Sequence, residues 1–239
     1  MTRDVNEQTD TAVVLAGGLG TRLAGLIPDK PKVLAPLLGR SFLDWKFDEM
    51  ERNGIRHVYL LLGHQSDLVI NKLSSLRTRL DVTPILDGPR PRGTGGAVLS
   101  AADELPEDFF LTYGDNLLDM PYYRLVEARQ SASVRNALAV TPLIGPADTA
   151  NCTIDNRRVT AYRKGFGDQM DYLDYGVMLM NRDSLTSADV DDGQALDLAQ
   201  ILQALILKKD LAAAVTLEPY YEIGTPESLA RTEEQFGSR

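Results

Sequence analysis

Residues 12–36 read AVVLAGGLGTRLAGLIPDKPKVLAP, and the rest of the chain is best interpreted outward from them. Val13, Val14 and Leu15 form a short apolar run with the character of a buried strand. The run stops at Gly17-Gly18, Gly20-Thr21-Arg22 follows, and Lys32 stands between Pro31 and an apolar segment. Glycines let a backbone come close to a phosphate and turn its N–H groups toward it. Arg22 and Lys32 add the positive charge that a triphosphate requires.

Two phosphate-binding patterns can be laid on the stretch, and both fail. The dinucleotide fingerprint G-x-G-x-x-G fits Gly18 and Gly20 but needs a glycine where Leu23 stands. The P-loop ends in Gly-Lys-Ser/Thr, a tripeptide this chain lacks. The stretch does resemble the G-G-x-G-T-R-L…P-K signature of the sugar-1-phosphate nucleotidyltransferases, through Gly17, Gly18, Gly20, Thr21, Arg22, Leu23, Pro31 and Lys32. The resemblance implies that Leu15, Ala16, Gly17, Gly18, Gly20 and Thr21 hold a nucleotide. It gives Arg22 and Lys32 a catalytic role in offsetting triphosphate charge.

At 239 residues, 44% apolar and 25% charged, the chain can bury one sizeable core, as one large α/β domain or two small ones. No apolar run approaches the roughly 20 residues that span a bilayer. The opening MTRDVNEQTDT lacks the apolar core of a secretory signal and reads as a flexible polar tail over residues 1–10. The single cysteine, Cys152, rules out an internal disulfide and fits a reducing, cytoplasmic setting. A net charge of −9 opposes binding to nucleic acid or to a membrane surface. A small anionic substrate fits only where cations gather, as at Arg22, Lys30 and Lys32 or at Arg90 and Arg92; each cluster taken alone is better read as solvated loop charge.

The first half alternates strand and helix signals in the manner of a parallel sheet. Strands are predicted over residues 57–62, 82–86 and 109–113. Helices are predicted from Ser41, as cap, to Arg52, over residues 67–79 and over 97–104. The second half is less regular. Residues 136–142 and 175–180 read as strands, 153–154 and 159–162 as a hairpin over Asp155-Asn156, and 212–217 as a late strand. Residues 195–207 have helical periodicity, and a last helix runs from Pro226 to Phe236 behind Thr225. The expected fold is α/β, a Rossmann-like three-layer sandwich on a mixed, mostly parallel sheet of the nucleotidyltransferase, GT-A-like kind. Residues 11–239 would form one domain, its first half binding nucleotide and its second half sugar.

Gly114-Asp115 ends a buried apolar strand, where ligands of open α/β sheets collect. A carboxylate there needs a partner, and Mg²⁺ held between phosphates is a natural one. The resemblance makes Asp115 a metal and nucleotide residue. It sets Glu222, in YYEIGTP, at the place of a second metal-binding carboxylate that is usually aspartate. The loop DGPRPRGTGGA, residues 87–97, resembles the base- and ribose-receiving loop of such enzymes through Gly93, Thr94, Gly95 and Gly96, with Arg92 replacing a leucine. Asp87 is suited to accept from the N1–H and N2 amine of guanine, a donor pair that the pyrimidines lack. In YRKGFGDQMDYLDYG, residues 162–176, Lys164 matches the family's catalytic lysine that reaches the sugar phosphate or the α-phosphate. By the same resemblance Asn116, Lys164, Asp174, Tyr175 and Gly176 line the sugar pocket.

His57 and His64 flank a strand outside any phosphate motif, no His/Cys spacing suggests zinc, and no G-x-S-x-G elbow supports a hydrolase triad. The implied partners are a nucleoside triphosphate and a sugar 1-phosphate, with Mg²⁺ as cofactor. The short length and GTGGA loop look most like guanylyltransferases acting on heptose or mannose 1-phosphate. Uridylyl- or cytidylyl-transferring relatives, and a non-catalytic nucleotide-sugar-binding homologue, remain alternatives. A glycosyltransferase would carry an Asp-x-Asp motif where Asp115 is followed by Asn116-Leu117. Oligomeric state is not legible.

Overall fold

Alternation along the opening strand, β1 (Thr11–Leu15), sends Ala12 and Val14 into one apolar core and Val13 into another, so β1 is buried on both faces. The computed structural model describes residues 9–18, 30–88, 91–143, 150–164, 170–185 and 195–237. Gly20, Thr21 and Arg22 of the glycine stretch lie outside the described residues, as do positions 1–8 of the expected tail. In chain order β1 is followed by β2 (Pro36–Leu37), β3 (Arg40–Ser41), α1 (Phe42–Arg52), β4 (His57–Leu62), α2 (Ser66–Leu73), β5 (Asp81–Leu86), α3 (Gly93–Ala101) and β6 (Asp108–Tyr113). Then come β7 (Asn116–Leu118), α4 (Tyr123–Ala132), β8 (Asn136–Pro142), β9 (Cys152–Asp155), β10 (Arg158–Tyr162) and β11 (Tyr172–Asn181). The chain closes through α5 (Leu198–Leu207), β12 (Leu211–Val215), β13 (Tyr220–Glu222) and α6 (Pro226–Gly237).

Among the described residues nine strands join one sheet in the order β5-β4-β1-β6-β11-β8-β12-β10-β9. The first four are mutually parallel, and only β11 and β10 run against the rest, so the sheet is mixed. Leu43, Phe47 and Met50 of α1, Val69 of α2 and Leu125 of α4 cover one face. Ala97 and Val98 of α3 and Ile201, Leu202 and Leu205 of α5 cover the other. A smaller core beside the sheet joins Leu117 of β7, Tyr221 of β13 and Phe42 of α1, with Leu229 and Phe236 of α6 packed on it. Among the described residues no helix is long and apolar enough to cross a membrane.

Several boundaries move for local reasons. The helix expected over residues 67–79 ends at Leu73, and α3 begins at Gly93, inside the loop. The hairpin turns at Asn156-Arg157, one residue beyond the expected position, with both in the left-handed region (φ 46° and 64°) as its tight turn demands. The periodic segment 195–207 becomes helical only at Leu198, because Asp197 caps it: the side chain accepts from Ala199 N, and Gln200 answers in a capping box. Neither α4 nor the β7–β13 ribbon is predicted from the sequence.

Candidate active site

Because β5, β4, β1 and β6 are parallel, their carboxyl ends share one rim. A cavity of about 280 Å³ lies there, walled by Leu15 to Gly18 after β1, Asp87 after β5, Gly93 and Thr94 opening α3, and Tyr113 to Asp115 after β6. Lys32, Val33, Leu61, Pro91 and Ala97 complete the wall. The loops meet so closely that side chains would intrude. A Cβ on Gly17 would lie 3.0 Å from an Asp87 carboxylate oxygen, and one on Gly114 would lie 2.9 Å from the carbonyl of Leu15. Gly93 has φ +74°, and its Cβ would fall 2.4 Å from the Leu196 carbonyl. That carbonyl accepts from Gly95 N and Gly96 N, so the glycine run is what lets α3 dock on the segment leading to α5.

Lys32 Nζ donates to Asp115 Oδ2 at 2.6 Å, setting a cation and an anion side by side on the cavity wall. Pro31 in extended conformation delivers Lys32 to a short 3₁₀ turn, and Gly114 N donates to Leu15 O to seat the β6 turn against β1. Asp87 has its carboxyl pKa raised by burial, against the opposing pull of Arg92, whose Nε donates to the Asp87 carbonyl. Thr94 Oγ1 accepts from Leu198 N, so its hydroxyl also braces the start of α5.

The sugar-pocket residues separate. Asp174 belongs to a polar cluster behind the Tyr113 wall: it accepts from Tyr162 Oη at 3.0 Å and Tyr113 Oη at 3.4 Å, and from Gly176 N. Burial raises the Asp174 pKa against these hydrogen bonds. Tyr175 alternates to the opposite face, where it is core: its hydroxyl donates to Pro219 O and accepts from Asp119 N and Met120 N. The strand pleat turns it away from Asp174, so the two residues expected to line one pocket face opposite sides of the sheet. Gly176, at φ +99°, carries a carbonyl that accepts from Thr112 Oγ1 and Asn116 Nδ2, and a Cβ there would collide with Asn116. Asn116 is buried, so its amide, expected to meet sugar, points into the protein instead.

Lys164 is exposed and pairs with Asp197 at 2.6 Å; Asp197 precedes Leu198, whose N donates to Thr94 of the cavity wall, but Lys164 does not itself line the cavity. Glu222 sits opposite Asn116 in the β13–β7 ladder, and Ile223 N donates to Asp115 O, so the two expected metal residues occupy neighbouring backbone positions. The Glu222 carboxylate itself lies 3.9 Å from Arg231 Nη2. Among the described residues no group of three or more His, Cys, Asp or Glu is arranged to hold a metal.

Two features went unread in the sequence. Tyr113 forms the partition between cavity and Asp174 cluster. Beneath the Asp115 turn, Lys46 and Glu49 of α1 form a wholly buried ion pair at 3.0 Å. Burial lowers the Lys46 pKa, with Glu49 and then Asp115 favouring its charge. The signal existed: Lys46 falls in the helical stripe Leu43, Phe47, Met50, where a charge without a partner is costly.

A parallel-sheet rim with a glycine-walled cavity, a lysine and an aspartate defines an α/β protein with a polar site suited to a phosphorylated ligand. The MobA-like NTP transferase domain model matches residues 12–154. The chain belongs to that family. It is 23% identical to the D-glycero-alpha-D-manno-heptose 1-phosphate guanylyltransferase of Campylobacter jejuni, over 90% of this chain and 95% of that one. A Sulfolobus acidocaldarius protein provisionally named mannose-1-phosphate guanyltransferase is 24% identical over 92% of this chain, which spans 61% of its length. Among solved structures, HddC from Yersinia pseudotuberculosis superposes with a TM-score of 0.79 at 24% identity, covering 95% of this chain and 99% of its own. One HddC structure is complexed with GMP-PN.

Proposed function

We propose that this chain condenses GTP with a heptose- or mannose-type 1-phosphate, giving the NDP-sugar and pyrophosphate. The observation that carries the reading is the Lys32–Asp115 pair on the cavity wall formed where β1 and β6 end. The sugar-phosphate oxygen attacks the α-phosphorus; one P–O bond forms there and the α–β P–O bond breaks, with pyrophosphate leaving. The nucleophile is already ionised near neutral pH, so the chain needs to position and neutralise rather than remove a proton.

In this reading Leu15 to Gly18, Gly20 and Thr21 receive the nucleotide. Lys32 and Arg22 offset the triphosphate, and Asp87, Gly93 and Thr94 meet the base and ribose. Lys164 exchanges its Asp197 partner for the sugar phosphate, and Asp174 accepts from sugar hydroxyls. Asp115 and Glu222 would hold Mg²⁺: both offer carboxylate oxygens, the donors a hard cation prefers, from neighbouring backbone positions. When bound, Mg²⁺ supplies charge neutralisation between the phosphates.

We read the helix-covered sheet as a Rossmann-like three-layer sandwich of the GT-A-like kind, residues 11–239 as one domain, and the enzyme as cytoplasmic. Pyrophosphate release measured with four NTPs and a panel of sugar 1-phosphates, with and without Mg²⁺, tests the reading. GTP with a manno-configured acceptor should give the highest kcat/KM. Absence of release with every pair would refute it.

A further inference from the structure

The Lys46–Glu49 pair has a structural puzzle attached to it. Both side chains are fully buried on a helix face otherwise built of Leu43, Phe47 and Met50. A buried ion pair seldom stabilises more than well-packed hydrocarbon of the same volume. What hydrocarbon cannot do is hold several backbone segments in fixed directions, and this pair does so completely. The three ammonium donors reach Glu49, Thr112 Oγ1 at 3.0 Å and Asn116 Oδ1 at 3.2 Å. Glu49 in turn accepts from Leu118 N at 2.9 Å and Tyr122 Oη at 2.5 Å. Thr112 and Asn116 both donate onward to Gly176 O, which ties in β11.

The segments bound this way bracket one turn. Thr112 lies three residues before Asp115, Asn116 lies one after, and Leu118 ends the strand that follows. We propose that Lys46 is a positioning residue for Asp115: its buried ammonium binds the strand entering the turn to the residue leaving it, and Glu49 supplies the counter-charge and anchors β7. A carboxylate meant to face Lys32 and a cation must be held to within about half an ångström, and such supporting contacts are what hold it. The inference rests on the transferase reading, through the role of Asp115.

The test uses Lys46→Met/Glu49→Gln, which removes both charges and strands neither, beside Thr112→Val, which keeps shape and charge but removes the hydroxyl that links Lys46 to the Gly176 carbonyl. Thermal melts report folding. Initial rates report kcat and the KM for sugar phosphate, and Mn²⁺ binding in the presence of nucleotide is titrated by electron paramagnetic resonance. Positioning predicts a folded double variant with kcat lowered and Mn²⁺ dissociation constant raised about tenfold each, and the sugar-phosphate KM within about twofold of wild type. Thr112→Val should move kcat and Mn²⁺ affinity the same way by about threefold, and it decides the matter if the double variant does not fold. Variants with lower melting temperatures but kcat and Mn²⁺ affinity within about 1.5-fold of wild type would overturn the proposal. Failure of the transferase reading is distinguishable, because it would show in wild type, inactive with every NTP, and in Asp115→Asn, binding Mn²⁺ as wild type does.

Discussion

Asp115 is the side chain on which most of the chemistry converges. It is partly exposed on the cavity wall, its backbone is fixed through Ile223 N, and among the described residues it pairs with Lys32. Asp115→Asn keeps the shape and much of the hydrogen bonding while removing the charge. Pyrophosphate release should fall by about 10²–10³ in kcat, with a melting temperature close to that of wild type. A variant retaining wild-type kcat would remove Asp115 from the mechanism. Asp87 poses a different question, because burial holds its folded pKa above the ordinary value. A raised carboxyl pKa means stability is fullest below the unfolded value and is lost as pH rises through the folded one. Asp87→Asn should therefore stabilise the protein at pH 7, by about 0.5 kcal/mol once solvent screening is discounted, and the gain should shrink as pH is lowered toward about 4. The same variant should narrow the GTP-to-UTP ratio of kcat/KM. Chemical denaturation at two pH values and competition between the nucleotides measure the two effects.

At the scale of single elements, the glycine loop shows how much can be read and where reading stops. Its composition announces a close backbone approach, but a string of glycines does not say what approaches. Here it is the Leu196 carbonyl, more than a hundred positions away in sequence, that pins Gly93 at φ +74°. Gly93→Ala should cost about 2–3 kcal/mol, from left-handed strain and displacement of that carbonyl. Urea midpoints would show it, and an unchanged midpoint would mean that α3 docks another way. Elements with their own periodicity or caps were legible: α1 begins after Ser41 and ends at Asn53-Gly54, and β4 spans residues 57–62 as expected. Helix α4 buries only Leu125 fully, so it lacks a clear stripe. The β7 and β13 strands have three residues each, too few to display a period of two. Asp174 and Tyr175 were read as neighbours in one pocket because adjacency in sequence is visible, whereas the pleat that sends them to opposite faces has to be assigned first.

The sheet as a whole divides along the same line. The four parallel strands that form the site rim follow from alternating strand and helix signals, but insertion of β11 between β6 and β8 is a long-range pairing with no local mark. Stability of the whole molecule toward acid depends on carboxylates at helix starts on both sides of that sheet. Asp44, which accepts from Ser41 N and Ser41 Oγ and pairs with Lys72, serves α1; Asp197, paired with Lys164 and accepting from Ala199 N, serves α5. In each, burial would raise the pKa, but the hydrogen bonds and the lysine outweigh it and the net shift is downward. A depressed folded pKa means the unfolded chain takes its proton first as pH falls. The stabilisation is then complete above the unfolded carboxyl value, about 3.9, and disappears as pH drops through the lower folded value. The two sites lie on opposite faces and share no partner, so their effects should add. Asp44→Asn/Asp197→Asn keeps the capping geometry but loses both charges and their lysine pairs, and should be about 1 kcal/mol less stable than wild type at pH 7. The difference should close as pH falls from about 5 to below 3, leaving a shallower acid limb. Urea unfolding across that range decides it: acid limbs that stay parallel would place the acid sensitivity in other carboxylates.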